Sequence, residues 1–164
     1  MRMAVPLLLS CLLGTSVLAG CSGVPDFIAE RQAIAKAEFS FDRVELQHMD
    51  IPVITPNAKA DLRVILKVKN PNAVTARLDR LDYEVFMEGH SVGTGAMTED
   101  FSVEPGGTKE LSLPVAVPYA NLPQPALQAL LARRAQFRLK GISHVSTPLG
   151  RIDYPFEVEH TATF

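Results

Sequence analysis

The sequence predicts an all-β fold, an antiparallel β-sandwich of about seven strands with one short α-helix. Three observations carry the prediction. From Phe39 onward, run after run alternates apolar and polar residues with a period of two, the pattern of strands that bury one face. The 12 Pro and 10 Gly, with no Trp, suit a turn-rich, strand-rich chain, and Asn70-Pro71-Asn72, Gly89 and Pro105-Gly106-Gly107 stand at breaks between those runs. Only one internal stretch, around 121–134, changes to a helical period. A sheet with one apolar face must bury it against a second sheet, which makes a sandwich the natural architecture.

In chain order, residues 1–20 read as an export signal. Arg2 is followed by an uncharged run reaching Cys21, a basic n-region and a short apolar h-region. The run has the length of a membrane-spanning helix, but Ser10, Gly14, Thr15, Ser16 and Gly20 dilute it and Pro6 stands near its start. Leu18-Ala19-Gly20-Cys21 resembles the lipobox of bacterial lipoproteins. That resemblance implies that Leu18, Ala19 and Gly20 are the signal-recognition positions, where small residues admit the peptidase. It implies equally that the Cys21 thiol receives diacylglycerol and holds the protein on a lipid bilayer. Ser22 in place of Asp favours the outer over the inner membrane in such lipoproteins, facing the periplasm. Cys11 lies in the segment to be removed, so the mature chain would keep no free thiol and form no disulfide.

Residues 21–38 are expected to be a tether. Phe27, Ile28, Arg31 and Ile34 form one weak helical stripe, and a frayed linker is the reading taken here. The domain proper is placed at 39–164. Phe39 and Phe41, then Val44 and Leu46, alternate with a slip of phase that suggests a bulge. Leu62, Val64, Leu66 and Val68 face one way and Arg63, Lys67 and Lys69 the other, with Ile65 the exception. This run ends at Asn70-Pro71-Asn72, where proline withdraws a backbone donor and asparagine tolerates turn geometry.

Leu81, Tyr83, Val85 and Met87 alternate next, and Gly89 marks a tight turn into a stretch loosened by Gly93 and Gly95. After Pro105-Gly106-Gly107, the apolar set is Leu111, Leu113, Val115 and Val117. The helix follows, with Asn121 as its expected cap, Pro123 and Pro125 in its first turn, and Leu127, Leu130 and Leu131 on one face. Phe137 to Val145 and then Ile152, Tyr154, Phe156 and Val158 close the chain as strands. Pro114 and Pro155 fall on outward positions, which suits edge strands.

Composition bounds the function. The 164 residues are 47% hydrophobic and 21% charged, too apolar for a disordered chain. A net charge of −2 offers no basic field for nucleic acid. His48, His90, His144 and His160 are scattered and read as surface side chains; none has the i, i+4 spacing of a helical zinc site. A site built across strands, such as His48 with Asp50, stays open. No Gly-x-Ser-x-Gly elbow occurs, and Gly93-Thr94-Gly95 lacks the rest of a phosphate cradle. Glu99-Asp100 and Asp79 with Asp82 read as solvated faces, not as a general acid and base. Neither an enzyme nor a metal or other cofactor is expected. The aromatic C-terminal alternation resembles the last strand of an outer-membrane barrel, yet the chain has no Trp and only three Tyr for the girdles.

The alternating strand ending in Asn70-Pro71-Asn72 begins a longer ordered set: Leu81-x-Tyr83-x-Val85, Gly89, Val92-Gly93-x-Gly95, Pro105-Gly106-Gly107-Thr108 and Leu111-Ser112-Leu113-Pro114-Val115. The set resembles the type 2 late embryogenesis abundant domain, also called the water stress and hypersensitive response domain. That resemblance implies a seven-stranded sandwich of immunoglobulin or fibronectin type III character, connected with desiccation and without catalytic residues. Asn70, Pro71 and Asn72 mark the family, and a structural turn is their expected role. Together these readings suggest a tethered, non-enzymatic stress domain that contacts envelope proteins or lipid head groups. An envelope adaptor or small-ligand-binding module in assembly or transport is the alternative.

Overall fold

A computed structural model describes residues 26–51, 54–147 and 150–164. The expected export signal at 1–20, the expected recognition residues Leu18, Ala19 and Gly20, and the expected lipid-attachment residue Cys21 lie outside the described residues. In chain order the strands are β1 (Glu38–Met49), β2 (Lys59–Lys69), β3 (Ala76–Leu78), β4 (Arg80–Met87), β5 (His90–Met97), β6 (Phe101–Val103), β7 (Thr108–Pro118), β8 (Arg134–Thr147) and β9 (Gly150–Thr163). They form a three-stranded sheet, β1-β2-β7, a four-stranded sheet, β5-β4-β8-β9, and a short β3-β6 ribbon. Every ladder is antiparallel.

The expected alternation positions the core. Ala60, Leu62, Val64, Leu66 and Val68 of β2 are buried against Leu81, Tyr83, Val85 and Met87 of β4 and Phe137 and Leu139 of β8 in one cluster. The phase slip in β1 is a register shift between Phe41 and Arg43. It lets Phe39, Phe41, Val44 and Leu46 all turn inward although their spacing breaks the period of two. Ile65 is buried but sits outside the main cluster, opposite Arg43 and Ser112 on the other face of its sheet. Pro114 lies on β7 and Pro155 on β9, both edge strands, where the missing N–H removes no ladder bond.

Two close contacts tie strands together. The Tyr83 hydroxyl crosses Gly95 of β5 and donates to the Pro114 carbonyl of β7 at 2.6 Å, linking the two sheets along one seam. Gly141 makes room for Phe156, whose ring stacks on Phe39 at 4.1 Å.

Both helical readings change in detail. Tyr119–Asn121 form a 3-10 turn, and helix α2 spans Gln124–Leu131 without a side-chain cap, so Asn121 does not cap it. Its buried face is Ala126 with Leu130, while Leu131 is exposed. Proline supplies the start instead, since its fixed φ suits a first turn and it needs no partner for an N–H.

The segment expected to be a frayed tether contains a docked helix, which extends the folded region back to residue 26. Helix α1 (Asp26–Ala33) continues into a 3-10 turn at Ile34–Lys36, and Ala33 and Ile34 are buried in the core. Arg31 binds Asp79 at 2.5 Å and the Ser146 carbonyl at 2.6 Å, and Glu30 pairs with Arg77 at 2.8 Å. The helix is weakly amphipathic and is held by partners far away in sequence.

Candidate functional site

Asn70 follows the last residue of β2 and is fully buried. Its Nδ2 donates to the carbonyls of Val74 (2.8 Å), Val103 (2.9 Å) and Glu104 (3.2 Å). An amide has two hydrogens, so one is shared between acceptors. Its Oδ1 accepts from the backbone N–H and the Nδ2 of Asn72, at 3.1 and 2.8 Å, and its own N–H donates to the Gly107 carbonyl at 2.9 Å. Asn72 Nδ2 also reaches the Ala33 carbonyl at the end of α1, at 2.9 Å. Asn72 does not take the left-handed backbone that its place in a turn suggests; among the described non-glycine residues, Asn57, Glu88 and Arg133 have positive φ. Pro71 is exposed between the two asparagines. The polarity of the motif points inward: the buried Asn70 joins β2 to the β6–β7 turn, and Asn72, bonded to it, reaches α1.

A second cluster crosses the outer face of the four-stranded sheet. His144 of β8 is only 6% exposed. Its Nε2 faces Asp82 Oδ2 of β4 at 2.8 Å and its Nδ1 faces Asp153 Oδ1 of β9 at 2.7 Å. Ionised carboxylates only accept, so both bonds form together only when both ring nitrogens carry a proton. Arg80 binds Asp82 at 2.7 Å and Arg151 binds Asp153 at 3.1 Å, so an arginine flanks each carboxylate of the row. Hydrogen bonds from Arg80 and then His144 hold the Asp82 carboxyl below the usual range against desolvation. The bond from His144, supported by Arg151, does the same for Asp153.

This row corrects two readings. His144 is not a surface histidine, and Asp82 is not a freely solvated acid. Sequence reasoning missed the cluster because the three residues come together only through the β4-β8-β9 register. The usable signal was one of parity, since each sits at an outward position of its strand beside an apolar inward series. Asp79, paired with Asp82 in the sequence, turns elsewhere. Burial would raise its pKa, but the Ser146 N–H and Arg31 outweigh burial and hold it low.

The chemistry available here is limited by orientation. Ser143 precedes His144, but consecutive strand residues point to opposite faces, so Ser143 enters the core and forms no nucleophile–base pair with that histidine. His48 and Asp50 do meet, at 3.0 Å, while the other Asp50 oxygen accepts the Lys59 N–H at 3.0 Å. Among the described residues no three potential ligands converge on a metal-sized point. An open groove of about 690 Å³ runs along the outer sheet face past Arg80, Asp82, Glu84, Ala96, Lys140 and Ile142. Two of its charges are already paired with each other.

Comparison with known proteins bears on what such a fold is for. The family model described as late embryogenesis abundant protein, LEA_2, matches residues 66–160. The chain belongs to the late embryogenesis abundant type 2 family. The match begins inside β2 and takes in the Asn70-Pro71-Asn72 stretch and the Asp82–His144–Asp153 row. The fold agrees. A solution structure of an Arabidopsis thaliana protein superposes with a TM-score of 0.58 at 18% identity, over 77% of this chain and 81% of that one. A solution structure bearing the name late embryogenesis abundant (LEA) protein superposes at 0.52 and 21% identity, over 84% and 77% of the two chains. A β-glucuronidase of Bacteroides uniformis gives 0.45 at 14% identity, with 77% of this chain matching 14% of the enzyme. No protein of curated function matches the chain by sequence. Membership in the late embryogenesis abundant family connects the chain with water stress and with a non-enzymatic role.

Proposed function

We propose that this late embryogenesis abundant domain is anchored by lipid at Cys21 to the bacterial cell envelope, where it faces the periplasm. There it protects envelope components as water is lost, without catalysing a reaction. The observation that carries this reading is the combination, in one chain, of the family match over 66–160 and the lipobox-like Leu18-Ala19-Gly20-Cys21. A protective chain of this composition works as a folded surface, since its apolar content drives it to fold in water. The contacts it makes would be with envelope proteins or lipid head groups, at the outer membrane in preference to the inner.

Metabolic labelling with a fatty-acid analogue tests the anchor. The wild-type protein is expected to take up label and Cys21→Ser to lose it and accumulate as an uncleaved or soluble precursor. Label that persists in Cys21→Ser contradicts the reading. Envelope permeability in unstressed deletion cells tests the role: it should stay normal for a stress protector. A leaky envelope without stress would favour an adaptor in envelope assembly or transport instead.

A further inference from the structure

Four residues, 22–25, separate Cys21 from the first residue of α1. Whatever path they take, the five steps from Cys21 to Asp26 cover at most about 18 Å. Helix α1 is not a free lever at the end of that leash. Its C-terminal end is sunk in the core through Ala33 and Ile34, its side is tied to β3 and β8 by Glu30–Arg77 and by Arg31 to Asp79 and Ser146, and Asn72 caps its Ala33 carbonyl. The attachment point therefore belongs to one end of the sandwich.

That end is defined by the fold. It carries α1, the Asn70–Asn72 turn and the start of β1. The far end carries the 3-10 turn at Tyr119–Asn121, whose Tyr119 N–H donates to Ala58 just before β2. Strand β2 connects the two, and its 11 residues separate them by about 33 Å at a rise of about 3.3 Å per residue. The flanks between the ends carry ion pairs on both sheets, Arg43–Glu110 and Lys67–Asp42 on one and Arg138–Glu159 on the other. Lying flat would press these hydrated pairs against the head groups and cost desolvation. Of the exposed large apolar side chains, the three most exposed, Ile51, Ile54 and Leu131, sit toward the far end, on the β1–β2 connection and at the close of α2, whereas the less exposed Ile142 lies on the flank and Ile152 opposite Val145.

We infer that the anchored protein stands on its α1 end: the surface around α1 and the Asn70–Asn72 turn faces the lipid head groups, and the end bearing Ile51, Ile54 and Leu131 projects away from the membrane. The inference rests on acylation at Cys21, and its test separates the two. Full-length protein carrying Ala73→Cys or Ala120→Cys is purified in its acylated form. Both positions are exposed, one beside α1 and the other at the far end. Each thiol receives a fluorophore, and the protein is reconstituted into phosphatidylethanolamine–phosphatidylglycerol vesicles containing a head-group nitroxide lipid. Quenching is expected to be several-fold stronger at Ala73→Cys than at Ala120→Cys. A flexible Gly/Ser spacer inserted after Gly23 should shrink that ratio. Equal quenching, stronger quenching at Ala120→Cys, or a ratio indifferent to the spacer overturns the orientation while the anchor stands. Protein that carries no fatty-acid label and leaves the vesicles unoccupied fails the anchor itself, and the orientation with it.

Discussion

Replacing Asn70 by Ala would take the side-chain donor from the buried Val103 carbonyl and the part-buried Val74 carbonyl, and the acceptor from the backbone N–H of Asn72. Each stranded buried group costs about 1–3 kcal/mol, so Asn70→Ala should destabilise the domain by about 2–4 kcal/mol in urea or thermal unfolding. Asn70→Asp should do at least as much harm, because a carboxylate would face three carbonyls. Pro71→Ala, at an exposed position, should cost about 1 kcal/mol or less. If the motif is a contact site instead, Asn70→Ala would lose protection in cells while unfolding stayed near wild type. The row around His144 yields a pH dependence with a definite sign. Asp82 is held below its ordinary pKa by its hydrogen bonds from Arg80 and His144, and Asp153 by those from His144 and Arg151. Their contribution to stability is therefore complete above about pH 4 and is lost as pH falls through their folded values. Thermal melts from pH 6 to pH 2 should show this fall, and Asp153→Asn should flatten it. The turn was legible in the sequence because Asn-Pro-Asn has local chemistry. The row was not, because the partners of His144 lie 62 and 9 positions away and meet only across a ladder.

Strands whose two faces differ were readable one by one. β2 and β7 show this well, with buried Leu and Val alternating with Lys, Arg, Glu and Pro. Helix α1 was not, since its apolar stripe is faint and its docking depends on Asp79, Ser146 and Asn72. Deleting residues 26–36 should thus destabilise the domain, because Ile34 alone buries a side chain worth about 1.5–3 kcal/mol. A deletion that leaves the melting temperature unchanged would return this segment to the status of a linker. Between elements, Gly141 permits Phe156 to lie across β8; a Cβ there would stand 2.4 Å from the ring. Gly141→Ala must push Phe156 off Phe39 and should cost about 1–3 kcal/mol. Unfolding of Tyr83→Phe should report a smaller loss, about 0.5–1.5 kcal/mol, for its hydrogen bond from β4 to β7.

At the scale of the whole molecule, the sandwich followed from patterning alone because each alternating run needs an opposing apolar face. The strand order within each sheet did not, since it is set by long-range pairing that no local pattern records. The described domain holds its sheets together through one continuous apolar cluster that includes α1, so it should unfold as one cooperative unit, unaffected by chelator or reductant. The proposed anchor would join that folded unit to the envelope, and survival after drying tests the proposed protective role. Deletion cells are complemented with wild-type protein or with Cys21→Ser, dried, rehydrated and counted. The wild-type protein should restore survival, whereas Cys21→Ser, though folded, should not. Deletion cells that survive drying as well as their parent would contradict the account.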